Sequence, residues 1–333
     1  MIRFIIKLIF SIIFLIVLGV VFFLFVGKTA PAEEINWGVV FSQKQSKLFG
    51  LDWRENYLAI LDDLKVRDIS VVAYWDYIEK EPGYYNFSDL DWQIREAEKR
   101  EAKVMLVLGR KVPRWPECHI PKWAEELSIE EQEERVLKYI EQLVLNYRSS
   151  TSIVGWRVEN EPFFPFGECP QPDGQFLKKE IELVKSLDDK NRPVVITESG
   201  EFPLWFKAAR FGDVVGHTLY KKVWFKEINM YISYPLPSIF YSRKSWLIDK
   251  LFNKKVICTE LQAEPWGPAL LHNLPLEEQE KSMNPERFKN IIQFAQNTGG
   301  DTFYFWGVEW WYWLKIKHNQ PEIWNEARAL FDL

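Results

Sequence analysis

The chain has 333 residues, 47% of them hydrophobic and 27% charged, with a formal net charge of −5. That composition can support a large globular core and argues against a polyanionic partner such as nucleic acid. Once a membrane-like N-terminal stretch is set aside, roughly 300 residues remain, enough for two ordinary domains or one α/β barrel.

Residues 8–26 are almost entirely apolar, with Arg3 and Lys7 before them and Lys28 after. At about 1.5 Å of rise per residue such a run spans the roughly 30 Å of a bilayer core. Residues 1–28 are therefore expected to be a membrane anchor, with the N-terminus in the cytoplasm and the rest of the chain outside. Ala30-Pro31-Ala32 resembles a cleavage site, and processing after Ala32 would make the protein secreted. Residues 29–34 read as a linker.

From residue 35 to 333, strand-like and helix-like segments alternate. Strands are expected at 35–41, 69–74, 104–108, 153–158, 194–197, 213–217, 255–259 and 302–306. Helices are expected at 54–66, 89–102, 129–147, 175–187, 203–210, 245–252, 285–296 and after Pro321. Ser88 with Asp91 and Ser128 with Glu131 read as capping boxes, and Pro285 as a first-turn proline. Residues 219–240 are irregular and aromatic, expected as a cleft wall, a membrane-resting surface or packing over a rim. Eight alternations predict a single (β/α)8 TIM barrel preceded by an N-terminal transmembrane helix. An open doubly wound sheet is the alternative, but Val40-Phe41-Ser42-Gln43 lacks the glycine-rich turn that fold carries.

The chain holds 16 Trp, 13 Tyr and 24 Phe. Most belong in a core, but Trp75, Tyr77, Trp115, Trp266, Trp310 and Trp311 neighbour polar residues near strand ends, where flat apolar faces suit sugar rings. Of three cysteines, Cys258 lies in an apolar run and reads as buried, while Cys118 and Cys169 fall in loops and could pair outside the cytoplasm. No cysteine or histidine spacing suggests a metal site, and no cofactor is expected.

In a barrel the functional residues gather at the carboxyl ends of the strands. Glu161, in Val158-Glu159-Asn160-Glu161-Pro162, and Glu260, in Thr259-Glu260-Leu261-Gln262, sit just past the fourth and seventh strands. Two carboxylates about 5 Å apart suit retaining glycoside cleavage, one raised in pKa to donate a proton and the other ionised to attack carbon. Glu264 and Glu198 are rival nucleophiles, and Glu79 and Glu309 read as rim or structural charges.

Gly155-Trp156 with Asn160-Glu161-Pro162 resembles the acid/base strand of the clan A glycoside hydrolases. Thr259-Glu260-Leu261-Gln262 resembles their nucleophile strand, Gly216-His217-Thr218-Leu219-Tyr220 their sixth strand, and Phe305-Trp306 their eighth-strand tryptophan. Residues 75–91 are most similar to the β-galactosidase and cellulase-like members. The resemblance implies a retaining mechanism on a β-linked oligo- or polysaccharide, with Glu161 as acid/base and Glu260 as nucleophile. It implies that Asn160 bonds the sugar 2-hydroxyl, that His217 and Tyr220 orient Glu260 and substrate, and that Trp306 floors the pocket. Trp75 and Trp266 are further candidates for substrate binding. The second strand ends in Tyr74-Trp75-Asp76, without the arginine that supports the nucleophile in many members, and Arg110 is the expected substitute. The other readings are a transglycosylase and a membrane-tethered barrel that binds glycan without cutting it.

Overall fold

The structure, a computed structural model, describes residues 2–171 and 173–332. Eight parallel strands close into a barrel: β1 (Asn36–Phe41), β2 (Asp68–Val72), β3 (Lys103–Leu108), β4 (Ile153–Val158), β5 (Val194–Glu198), β6 (Val214–Leu219), β9 (Val256–Gln262) and β10 (Thr302–Trp306), with β10 closing on β1. Helices follow the strands, so the expected (β/α)8 architecture is present. Both faces of each strand are covered, and the strands are therefore near-continuous apolar runs.

The two faces separate by the period of two. Val39 and Phe41 join the large cluster between barrel and helices, whereas Val40 packs with Met105, Val195, Ile257 and Tyr304 in a second, central cluster. On β4, Trp156 and Val158 face outward with the first set. Arg157 between them is fully buried and points into the lumen.

β9 departs from strict alternation. Its pairing with β10 runs from Phe303–Cys258 to Phe305–Leu261, and its pairing with β6 shifts between His217 and Thr218. One extra residue is thus accommodated near Thr259 and Glu260. Such a bulge re-aims side chains. Cys258 and Leu261 both stay in the outer cluster, which leaves Glu260 to turn inward.

The residues read as irregular between 219 and 240 contain a hairpin of β7 (Lys222–Phe225) and β8 (Met230–Ser233). Its inner residue Val223 packs with Tyr220 and Trp306, so the hairpin caps the barrel rim. The helix expected at 245–252 begins earlier, at Ser238 behind Pro237. A helix Val308–Lys317, absent from the sequence reading, follows the positive-φ Gly307. Its Trp-rich sequence is apolar on nearly all sides, so no stripe marks it as helical. The Ser128–Glu131 capping box forms, whereas Ser88 is the first residue of its helix and its N–H donates to Asn86 Oδ1 at 3.0 Å.

The N-terminal helix Ile2–Phe25 contains a stretch, Ile6–Phe25, long and apolar enough to cross a membrane. Its last turns rest on the helix Ser238–Phe252, with Phe23 against Trp246 and Phe25 against Phe240.

Close strand packing leaves no room for a side chain at Gly38 of β1. A Cβ there would stand 2.6 Å from the Asp68 carbonyl oxygen and 2.8 Å from the Tyr304 ring. Gly38→Ala is expected to destabilise the barrel by about 2 kcal/mol or more, lowering the thermal midpoint of detergent-solubilised protein by several degrees in circular dichroism.

Candidate active site

The Glu260 side of the site is built on a buried ion pair. Arg157 Nη2 donates to Glu260 Oε1 at 2.6 Å, and Tyr220 OH donates to Glu260 Oε2 at 3.0 Å. Both carboxylate oxygens are occupied, one of them by a full positive charge. A lumenal arginine is costly to bury unless it is paired and hydrogen-bonded. Arg157 Nη2 is paired in this way with Glu260 Oε1 and with Asn160 Oδ1, while its buried Nε and Nη1 have no hydrogen-bond partner among the described residues.

Glu161 is held differently. β4 ends in two left-handed residues, Glu159 with φ 57° and Glu161 with φ 45°, which turn the chain sharply inward. The Glu159 carboxylate accepts from the backbone N–H groups of Arg110 and Lys111, each at 2.7 Å. Lys111 Nζ donates to the carbonyls of Glu161 and Phe164. The Glu161 carboxylate itself accepts from the Thr218 hydroxyl at 3.2 Å. Thr218 is also the register partner of Glu260 across the β6–β9 pairing, so this single residue links the two carboxylates.

These surroundings separate the two acids. Burial, then the charges of Glu260 and Glu117, push the Glu161 carboxyl up to about 8, while Arg157 lies directly on Glu260.

Glu117 was not anticipated from the sequence. It lies on the loop after β3, next to the disulfide that joins Cys118 to Cys169. Asn160 Nδ2 donates to Glu117 Oε2 at 2.7 Å, and burial followed by the Glu260 charge pushes this carboxyl up to about 8 as well. Glu201 is a fourth nearby acid, accepting from Tyr220 N–H at 2.9 Å and from the Ser199 hydroxyl at 3.1 Å. Arg157 and Glu117 carried no usable sequence signal: the first sits inside a strand read as apolar, the second in a loop of mixed polarity.

The remaining candidates divide. Tyr220 and Asn160 touch the paired acids as described. Trp306 lies at the rim with the Arg114 guanidinium 4.0 Å above its ring. Arg114 is held by Glu264 and by Glu309, the latter at 2.7 Å. Trp266 stands edge-on to Tyr220 with ring centres 5.3 Å apart. Three expected roles are not matched by the geometry. Arg110 turns its guanidinium to Gln132 and the Phe176 ring, away from Glu260; its backbone is the part that serves the site. His217 stacks on Trp205 at 4.5 Å and bonds the Thr218 carbonyl, and burial lowers its pKa to about 3, so it is a neutral packed ring that does not contact Glu260. Trp75 is fully buried and donates to Glu79 Oε2 at 2.6 Å, so it offers no face to a ligand. Of the rival acids, Glu264 is engaged by Arg114 and Glu198 accepts from the Ala208 N–H.

No protein-family model and no curated protein matches the chain. Solved structures do. A β-galactosidase from the haloarchaeon Halorubrum lacusprofundi superposes with a TM-score of 0.56 at 13% identity, covering 81% of this chain and 52% of that one. Xylanase 10B from Thermotoga petrophila, in complex with xylobiose, gives 0.55 at 15% identity, covering 85% and 86%. A family 10 endo-β-1,4-xylanase from Gloeophyllum trabeum gives 0.54 at 17% identity, covering 83% and 85%. The chain spans about half the length of the β-galactosidases it matches and most of the length of the xylanases. At these identities the likeness is one of fold: the chain has the (β/α)8 barrel found in these glycoside hydrolases.

Proposed function

We propose that the protein is a retaining β-glycosidase acting on a β-linked glycan, with Glu161 as acid/base and Glu260 as nucleophile. The observation that carries this reading is the unequal support of two neighbouring buried carboxyls. Glu260 is held against a guanidinium, and Glu161 is raised to about 8 by burial and like charge. A retaining site needs that asymmetry. The named activities of the fold neighbours, xylanases and β-galactosidases among them, support the same class.

In the proposed sequence, Glu260 attacks the anomeric carbon as the glycosidic bond breaks. Glu161 gives its proton to the departing oxygen. The resulting glycosyl ester on Glu260 is then attacked by water, and Glu161 takes the proton from that water. Asn160 and Tyr220 hold the nucleophile side and the adjoining sugar hydroxyl, and Trp306 and Trp266 line the cleft. Residues 35–333 form the catalytic barrel. Residues 1–28 hold it to a membrane through the span near 8–26, placing the barrel outside the cytoplasm, or release it if cleavage follows Ala32.

Trapping with 2-fluoro aryl β-glycosides should add one sugar mass to a peptide containing Glu260. Glu260→Gln should lose turnover and the adduct together. Glu161→Gln should lower kcat by about 10²–10⁴-fold on substrates with poor leaving groups and much less on activated aryl ones. Full turnover in the Glu260→Gln protein would overturn the assignment.

The raised carboxyl also has a stability signature. A folded-state pKa of about 8 lies above the ordinary glutamate value of 4.5, so the folded chain keeps a proton that the unfolded chain has released. That stabilising difference is present at low pH and is lost as pH rises through 8. Relative to Glu161→Gln, the wild type should therefore lose on the order of 2 kcal/mol of stability between pH 6 and 9, read from chemical unfolding at the two values. A gap that stays constant with pH would show that Glu161 titrates normally.

A further inference from the structure

We propose that the glycan cut here carries a free amino group at C2 of the sugar whose bond is broken, and that Glu117 is the residue that selects it. This rests on the assignment of Glu161 and Glu260 above and names the substrate of that same site.

Glu117 is fixed in place from several directions. Its N–H donates to the Arg114 carbonyl at 2.7 Å, its carbonyl accepts from Val112 N–H at 2.8 Å, and its neighbour Cys118 is tied to Cys169. The Cys169 segment is pressed close: a Cβ on Gly167 would stand 2.6 Å from the Glu117 Cβ. Only one carboxylate oxygen is committed, Oε2 to Asn160. The residue is 95% buried, yet Oε1 has no protein partner among the described residues and is not one of the sealed, unpartnered atoms. It is an open polar atom at the end of an otherwise immobilised side chain.

Its surroundings carry surplus negative charge. Glu117 feels Glu260, and Glu161 feels both Glu260 and Glu117. The one guanidinium among them, Arg157, is bonded to Glu260 and Asn160. The nearby Lys111 ammonium donates to two backbone carbonyls. Three carboxyls thus converge with a single ion-paired cation. Protons on Glu117 and Glu161 relieve this; a cation on the substrate would relieve it instead.

The location restricts which part of the substrate is meant. Glu260 must reach C1 and Glu161 the glycosidic oxygen. A carboxyl beside both lies next to the atoms that flank C1, namely the ring oxygen and C2. Of these only C2 carries a variable group. An ammonium there would bond Glu117 Oε1 and displace its proton to solvent. Hydrogen bonds between ionised partners are about twice as strong as neutral ones. The same carboxylate offsets the repulsion between the ammonium and the positive charge that builds at C1 during bond cleavage. A neutral hydroxyl forgoes both gains.

The test uses full-length protein in detergent and four aryl β-glycosides, gluco and galacto in configuration, each with a C2 amine or a C2 hydroxyl. The expected kcat/KM favours the amine by about 10–100-fold, the range of one charge-assisted hydrogen bond, in whichever configuration is cleaved. Glu117→Gln should collapse that ratio toward one. In the wild type, with no substitution at all, the preference should fade as pH rises past the amine's own pKa. Faster or equal cleavage of the hydroxyl member, or a ratio that neither Glu117→Gln nor pH moves, overturns the proposal and leaves the retaining mechanism standing. If none of the four is cleaved and no 2-fluoro adduct forms, the glycosidase reading itself falls, and this inference falls with it.

Discussion

A guanidinium inside the barrel is the constraint around which the site is arranged. Arg157 points into the lumen from β4 and has no exposure to water. Left alone, its charge would cost several kcal/mol. The cost is offset only if a carboxylate is delivered to it in the lumen. β9 makes that delivery through the added residue between Cys258 and Leu261, without which Glu260 would face the surrounding helices. The ion pair and the bulge therefore require each other. An arginine on β4 also answers the sequence puzzle of a second strand without one: the support for Glu260 comes from Arg157, on the strand that leads to Glu161, two residues past Gly155.

The Glu161 side is secured by backbone contacts instead of charge. Two left-handed residues, a carboxylate bonded to two peptide N–H groups and a lysine bonded to two carbonyls fix the course of the loop. The Glu161 carboxyl is left with a single hydroxyl donor. A group held by its main chain can be positioned accurately while its side chain remains electrostatically unsatisfied. That is how a buried acid keeps a proton near neutral pH. The disulfide performs a similar service for Glu117, fixing its position through the neighbouring residue without touching its carboxyl.

Much of this was legible in the sequence. The eight strands appeared because each is a short apolar run bounded by turn residues, and Glu161 and Glu260 stood out because a polar residue directly after such a run must face the barrel mouth. What escaped was anything decided across strands. Arg157 looked like an interruption of an apolar run, because its partner lies 103 residues away. The β9 bulge leaves no composition signal. His217 and Trp75 occupied plausible positions at strand ends, but only packing shows that one stacks beneath Trp205 and the other is sealed over Tyr139. Arg110 was placed at the right loop, with its backbone and not its side chain serving the site. Val308–Lys317 was missed because its charged residues, Glu309, Lys315 and Lys317, are spread around the helix axis and leave no periodicity to read.

The opposite wall of the cleft shows the same economy of charge with the reverse outcome. Arg114 spans Glu264 and Glu309 and lies over the Trp306 ring. Both acids are thereby tied to a cation, and Glu309 is further bonded by the Ser42 N–H. On the β9–β10 side the carboxylates are paired with a cation, although Glu264 Oε2 has no hydrogen-bond partner among the described residues, and Trp306 lies beneath the guanidinium plane. On the β3–β4 side Glu117 and Glu161 lack such a partner. A ligand entering between the two walls would meet an aromatic ring from one direction and two carboxyls pushed up to about 8 from the other. The polarity around these acids is therefore set by where Arg114 and Arg157 are bonded: Arg114 pairs with Glu264 and Glu309, Arg157 pairs with Glu260, and Glu117 and Glu161 have no ion-pair partner among the described residues.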